Sequence, residues 1–307
     1  MGGSGGGGIY SERRVTSLRK AVDEARESAQ KERFDSDVNR LLRETLSSFE
    51  RDPDTTQNYL DRITTVLKDE AEIEQLLFGG SVAKHTYVDG LSDVDALVVL
   101  NKKELEGQSP QQVLDLFFET LQNNLTYDTI KSVDKGRMAV TVTHRDGIEI
   151  QLLPAVRRDK SIGIPNAKVD GWKYTDPARF QRMLTQANIK MNNLLVPTIK
   201  LVKSIIAGLP EQKRLSGYHI EALSIDAVRD YRGPKTAKDT LIHIFEHSSK
   251  RVLTPIEDVT HQTNAIDEDL GKANSVQRKI VSDGLASVAR RLKAATTISQ
   301  WKDTLEQ

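Results

Sequence analysis

Residues 76–100 read LLFGGSVAKHTYVDGLSDVDALVVL, and the order of small, polar and apolar residues here decides the fold class. Leu76-Leu77-Phe78 is a short apolar run ending in Gly79-Gly80-Ser81, and Asp93 to Leu100 is a second apolar strand opened by two acids. In an extended strand alternate side chains share a face, so Asp93 and Asp95 point one way and Val94 and Ala96 the other. Two carboxylates about 7 Å apart on one face suit hard divalent cations that also touch phosphate oxygens. Upstream, glycine lets backbone amides approach a phosphate with no Cβ in the way, and the Ser81 hydroxyl can add a hydrogen bond. A lone Asp-x-Asp is more often a solvated strand end. Strand, Gly-Ser, polar connection and Ser-Asp-x-Asp in that order place a phosphate cradle beside a metal-binding face.

Before this stretch, Ser11 to Ala71 is charge-rich with apolar residues at helical spacing, such as Val15, Leu18 and Val22, then Val38, Leu41, Leu42 and Leu46. Asp52-Pro53-Asp54 interrupts the pattern, and Tyr59, Ile63, Val66 and Leu67 resume it. Met1 to Gly8 is a flexible glycine-rich leader with no side chains to offset the cost of ordering. After Leu100, Ser109-Pro110 signals a helix start, with Val113, Leu114, Phe117, Phe118 and Leu121 as its apolar positions. Met138 to Thr143 and Ile148 to Leu153 read as two further strands across the turn Arg145-Asp146-Gly147. Beyond Pro154 the helical period returns over 180–195, 196–206, 218–231, 236–245 and 276–295. The class is therefore α+β. N-terminal helices and a small sheet lobe occupy 9–160, and a helical lobe over 161–307 packs on it.

Lys and Arg number 44 against 44 Asp and Glu, so no global positive field holds a long nucleic acid, and no stable long nucleic-acid complex is expected. The absence of cysteine excludes disulfides, thiolate metal sites and cysteine nucleophiles, and fits a reducing cytoplasmic home. No apolar run approaches the roughly 20 residues that span a bilayer. His243 and His247 are four apart on a helix but lack a third ligand, so they read as a surface pair and not a metal site. No Gly-x-Ser-x-Gly elbow of a hydrolase is present.

Gly80-Ser81 followed by Ser92-Asp93-Val94-Asp95-Ala96-Leu97-Val98-Val99-Leu100 resembles the signature of the DNA polymerase β-like nucleotidyltransferases. Ile148-Glu149-Ile150-Gln151-Leu152-Leu153-Pro154-Ala155 is similar to the third-acid strand of the oligoadenylate synthases and the bacterial cGAS/DncV-like nucleotidyltransferases, the CD-NTases of CBASS defence. Ile199-Lys200-Leu201-Val202-Lys203 and Ser216-Gly217-Tyr218-His219-Ile220-Glu221-Ala222-Leu223 resemble the two helical segments that those enzymes place around the donor nucleotide. The resemblance runs from about Leu76 to the C-terminus. It implies a polymerase β-like sheet lobe, an oligoadenylate synthase-like helical lobe and Mg2+, for which Mn2+ can substitute. It also implies synthesis of a cyclic or short oligonucleotide signal from (d)NTPs in anti-phage defence, with a downstream effector protein that responds to or is held by the product.

Lys200 and Lys203 lie three apart in the chain's most apolar helical stretch, and a lysine flanked by buried positions needs an anion, for which a triphosphate serves. Tyr218 opens a helix and reads from sequence as either a core tyrosine or a base-stacking ring; the resemblance points to stacking, with Ser216 touching phosphate or sugar. Where the family carries a third aspartate this chain has Gln151, with Glu149 two residues earlier on the same face. The expected metal ligands are Asp93, Asp95 and Glu149, with Gln151 tuning the site through its amide; the alternative is a site with no third acid that is slow or inactive. Two other readings stay open: the same chemistry making linear RNA or DNA, and a catalytically silent nucleotide sensor that regulates a partner.

Overall fold

The computed structural model describes residues 8–49, 53–68, 73–78, 80–88, 94–101, 108–125, 128–158, 161–166, 170–258 and 265–306. Of the leader, Met1 to Gly7 lie outside the described residues, and Gly8 opens the first helix. Helices α1 (Gly8–Ser47) and α2 (Pro53–Lys68) flank the interruption at Pro53, which becomes the first residue of α2, where its missing N–H costs nothing. Then come β1 (Ile73–Phe78), the short α3 (Gly80–Ala83), β2 (Val94–Leu100) and α4 (Pro110–Asn124). Ser109 caps α4, accepting from the Gln112 N–H while the Gln112 side chain accepts from the Ser109 N–H. Strands β3 (Ile130–Lys135), β4 (Val140–His144), β5 (Glu149–Arg158), β6 (Ser161–Pro165) and β7 (Trp172–Thr175) follow. The chain continues as helices α5 (Pro177–Lys190), α6 (Leu195–Ala207), α7 (Gly217–Val228), α8 (Ala237–Arg251), α9 (Val276–Ala294) and α10 (Ile298–Leu305).

The sheet order is β1-β2-β5-β4-β3, with β2 and β5 parallel and the other pairs antiparallel. One edge of β5 pairs with β2 from Ile150 to Val156. Its other edge pairs with β4 from Glu149 to Leu152 and then with β6 from Val156 to Arg158. Pro154 sits between those two partners, where β5 has no neighbour on that edge for a missing N–H to deprive. Val94, Ala96, Val98 and Leu100 of β2 pack with Ile150 and Leu152 under Leu60, Ile63 and Leu67 of α2 and Val113, Leu114, Phe117 and Leu121 of α4. The opposite face of β2 presents Leu97 and Val99 to Ala155 and Ile164.

Two departures from the sequence reading concern where the lobes divide. The sheet continues past residue 160 through β6 and β7, whose short strands carry too few alternating apolar residues to be read from sequence. Helix α1, grouped above with the sheet lobe, sends Val38, Leu41 and Leu42 into the core of the helical lobe, among Leu195, Ile199, Ile244 and Trp301. Of the two N-terminal helices, α2 packs on the sheet, through Leu60, Ile63 and Leu67.

His144, at the end of β4, is 2% exposed, and its ring stacks on Tyr59 of α2 with centroids 3.6 Å apart and planes 11° from parallel. Burial pushes its pKa from an ordinary 6.5 down to about 4, with Asp146 opposing and Arg62 reinforcing the shift. The unfolded chain therefore takes up this proton below pH 6.5 and the folded one only near 4, so the stability it confers is complete above 6.5 and is lost as pH falls across that window. Replacing it by phenylalanine, which keeps a ring on Tyr59 and cannot titrate, should flatten the loss: the urea midpoint of His144→Phe should gain on that of the natural chain as pH falls. Parallel midpoint curves would show that His144 does not set the acid sensitivity.

Candidate active site

Alternation along β2 decides which side chains reach the cleft. The even-numbered residues turn to α2 and α4, so Asp95 shares the opposite face with Leu97 and Val99. Asp95 lies near the N-terminal end of the strand and stays half-buried where Leu97 is covered. Parallel register puts Asp95 opposite Gln151, and antiparallel register puts Gln151 opposite Thr141. Glu149 is on the same face of β5, exposed, and opposite Thr143. Register thus brings the amide of Gln151 to Asp95 and leaves Glu149 at the entry of the strand. Asp93 lies outside the described residues.

Gly80 and Ser81 open α3 directly after β1, and α3 packs on β2. The Thr86 N–H donates to the Ser81 carbonyl at 2.9 Å, and the His85 N–H to that of Val82 at 3.1 Å. His85 takes φ 58°, a left-handed conformation uncommon outside glycine. From that lobe Gln181 of α5 donates to the Ala83 carbonyl at 2.8 Å.

The centre of the site is a carboxylate that the sequence reading left without a role. Glu221 of α7 is 1% exposed. Its Oε2 accepts from Lys84, and its Oε1 accepts from the Thr86 hydroxyl and, at 2.9 Å, from Lys203 of α6. Lys203 is 7% exposed and also donates to the carbonyl and the hydroxyl of Thr86, at 3.0 and 3.1 Å. Burial pushes the Glu221 pKa up, but Lys84 and Lys203 outweigh it and hold the carboxyl below its usual range. Lys203 shares that one anion with Lys84, so burial wins there: its pKa falls below the ordinary lysine value, opposed first by Glu221 and more weakly by Asp95. A signal for Glu221 was present in the sequence. A lone acid between Ile220 and Ala222-Leu223 in a helix requires a cation, by the argument applied to Lys203.

Lys200 and Lys203 do not share partners. The three hydrogens of the Lys203 ammonium are directed at Thr86 and Glu221, whereas Lys200 is half-buried and, among the described residues, has no ion pair. Ser216 is exposed and caps α7, accepting from the His219 N–H at 3.3 Å. An added Cβ at Gly217 would stand 3.3 Å from Lys203 Nζ, so the glycine lets the start of α7 approach this lysine closely.

Tyr218 is half-buried, with its ring centroid 4.6 Å from that of Phe180. The Lys84 ammonium lies 5.1 Å from the Tyr218 centroid and 5.2 Å from that of Phe180. The phenol donates to Asp258 at 2.9 Å, and Asp258 is itself buried. The histidines of α8 lie elsewhere, His243 bonded to the Ala227 carbonyl and His247 to Asp226. Among the described residues no group of three or more His, Asp or Glu is placed to hold a metal ion, and no helix is long and apolar enough to cross a membrane.

A mixed sheet with an acid at the mouth of an interior strand, a Gly-Ser turn beside it and a basic helical lobe facing it define a nucleotidyltransferase. The Second Messenger Oligonucleotide or Dinucleotide Synthetase (SMODS) domain matches residues 30–188, just over half of the 307-residue chain, and the chain belongs to this family. It is a nucleotidyltransferase of the CD-NTase type. No curated protein has a matching sequence. The fold is similar to that of the Bradyrhizobium diazoefficiens CD-NTase CdnG solved with GTP, at 14% identity and a TM-score of 0.67, over 87% of this chain and 94% of that one. It is also similar to Escherichia coli DncV bound to 3'-deoxy GTP, at 12% identity and 0.62, over 97% and 90%. Escherichia coli CdnC in complex with HORMA matches at 14% and 0.61, over 82% and 90%.

The Tyr218–Asp258 bond makes the hydroxyl matter as well as the ring. Tyr218→Phe should lower thermal stability by the equivalent of about 1–2 kcal/mol, because a buried carboxylate loses a donor, and Tyr218→Ala should cost more by also uncovering Phe180. Calorimetry of the three chains checks the order, and a melting temperature for the Phe variant equal to that of the natural chain would show that the bond contributes nothing.

Proposed function

We propose that this chain is a magnesium-dependent synthase that joins nucleoside triphosphates into a cyclic or short oligonucleotide, released as a signal in bacterial anti-phage defence and received by a downstream effector protein. The observation that carries the reading is Asp95 at the open end of β2, opposite Gln151 and within the electrostatic reach of the Lys203–Glu221 cluster. The donors on this face, the carboxylates of Asp95 and Glu149 and the amide oxygen of Gln151, are hard oxygens, which fits magnesium, with manganese as a substitute, and does not fit a soft metal. When bound, the ion supplies charge neutralisation on the triphosphate and on the leaving pyrophosphate.

In this reading Asp95, Asp93 and Glu149 hold the metal, and Gln151 orients the set without adding charge. The amides at Gly80 and the hydroxyl of Ser81 face phosphate oxygens. A hydroxyl of one nucleotide forms the new phosphodiester at the α-phosphorus of another, and pyrophosphate departs. Lys200, with no ion pair among the described residues, is the ammonium with hydrogens to give to the triphosphate, and Lys203 acts through its charge from behind Thr86. Tyr218 stacks the base, and Ser216, beyond its capping bond, turns its hydroxyl to the sugar. A second reading, a slow or silent nucleotide sensor, is favoured by one observation: the residue opposite Asp95 carries no charge.

Incubation with all NTPs and dNTPs plus magnesium, followed by mass spectrometry, should yield a short or cyclic oligonucleotide and pyrophosphate. Asp95→Asn should abolish pyrophosphate release with the melting temperature nearly unchanged, since the side chain is half-buried near the open end of the strand and asparagine keeps its size. Glu149→Gln should be nearly inactive if that carboxylate supplies the third charge. Activity retained by Glu149→Gln and raised several-fold by Gln151→Asp would instead assign the deficit to position 151.

A further inference from the structure

Three chain segments meet at one buried carboxylate, and they come from both lobes. Lys84 and Thr86 belong to the turn that follows Gly80-Ser81 on the sheet lobe, Lys203 to α6 and Glu221 to α7. Thr86, Lys203 and Glu221 close a ring: the Thr86 hydroxyl donates to Glu221 and accepts from Lys203, and Lys203 donates to Glu221. Such a ring is complete only when all three are in place, and loss of Glu221 leaves a buried ammonium without its anion. Two ammoniums to one carboxylate leave the cluster with a surplus positive charge, and Asp95 is the acid that feels it across the cleft. The Thr86 N–H, bonded to the Ser81 carbonyl, ties this ring directly to the Gly-Ser turn.

We infer that Glu221 is a positioning residue for nucleotidyl transfer, anchoring the 80–88 turn to the helical lobe so that the Gly-Ser turn and Asp95 face one cleft. It does not touch substrate and acts through Thr86 and the two lysines. The inference rests on the nucleotidyltransferase reading, and two properties distinguish it from a general contribution to stability. Neutralising Glu221 removes no group that the reading assigns to the triphosphate, since Lys200, Gly80 and Ser81 are untouched, so nucleotide affinity is largely kept while the alignment needed for transfer is lost. The loosening is also local to the turn, because Lys84 and Thr86 of that turn are bonded to Glu221, whereas α8 and α9 pack through apolar residues such as Leu241, Phe245, Val281 and Leu285.

The test uses the full chain with Glu221→Gln and, as a second route that leaves both ion pairs intact, Thr86→Val. Hydrogen–deuterium exchange without nucleotide or metal should rise at 81–88 and stay unchanged in α8 and α9 for both variants. Pyrophosphate release should show kcat reduced about ten-fold or more, with the nucleotide KM of Glu221→Gln nearly unchanged. The charge-preserving Glu221→Asp should recover part of the kcat. Exchange that rises equally throughout the chain, or kcat equal to that of the natural chain in both variants, would overturn the inference while leaving the functional reading standing. A natural chain that releases no pyrophosphate with any substrate would overturn both.

Discussion

Strand β2 is buried on both faces for most of its length, and that constraint organises the rest of the molecule. Its even-numbered residues form the floor on which α2 and α4 lie, and its odd-numbered residues meet β5 and β6 side chains on the other side. A strand with two apolar faces can expose a charged side chain only at an end. Asp95 is therefore confined to the mouth of the sheet by the same alternation that builds the core. The parallel pairing with β5 then fixes the neighbour of Asp95, because a slip of one residue would turn Ile150 and Leu152 out of the core. The position of Gln151 beside the acid is thus a consequence of packing in the sheet.

The helical lobe solves a different problem, which is how to present positive charge next to that acid without leaving it unpaired in a dry interior. Lys203 is nearly as buried as the leucines around it, and it is tolerated because Glu221 and Thr86 take up its hydrogens. Lys84 supplies a second cation from the opposite lobe and lies against the Tyr218 and Phe180 rings. Lys84 and Lys203 hold the carboxyl below its usual range and share it, so the cluster brings two ammonium groups to one carboxylate. Polyanion binding by a chain with equal numbers of acids and bases requires such a local concentration of charge.

Identity to the solved CD-NTases is 14% or less for the three compared above, although the fold is shared over most of each chain. This is the pattern expected when hydrophobic alternation, register and a few polar contacts carry the architecture, since apolar residues of similar volume can be exchanged without changing it.

The helices α2, α4 and α6, the apolar strand β2 and the order of elements that makes an α+β chain were legible in the sequence, because each has a period or a cap that acts locally. Asp95, Gln151, Lys203 and Tyr218 could be singled out for the same reason: each stands at a marked position in a local pattern. Tertiary structure alone decided that α1 packs with the helical lobe, that the sheet extends through β6 and β7, and that Glu149 stays at the entry of β5 while Gln151 meets Asp95. It also decided the partners of the buried charges. Lys84 and Glu221 are 137 positions apart, and Thr86 and Lys203 are 117. A periodicity reports which face of an element is apolar, but which cation a buried carboxylate finds depends on how two lobes dock, and no local pattern encodes that distance.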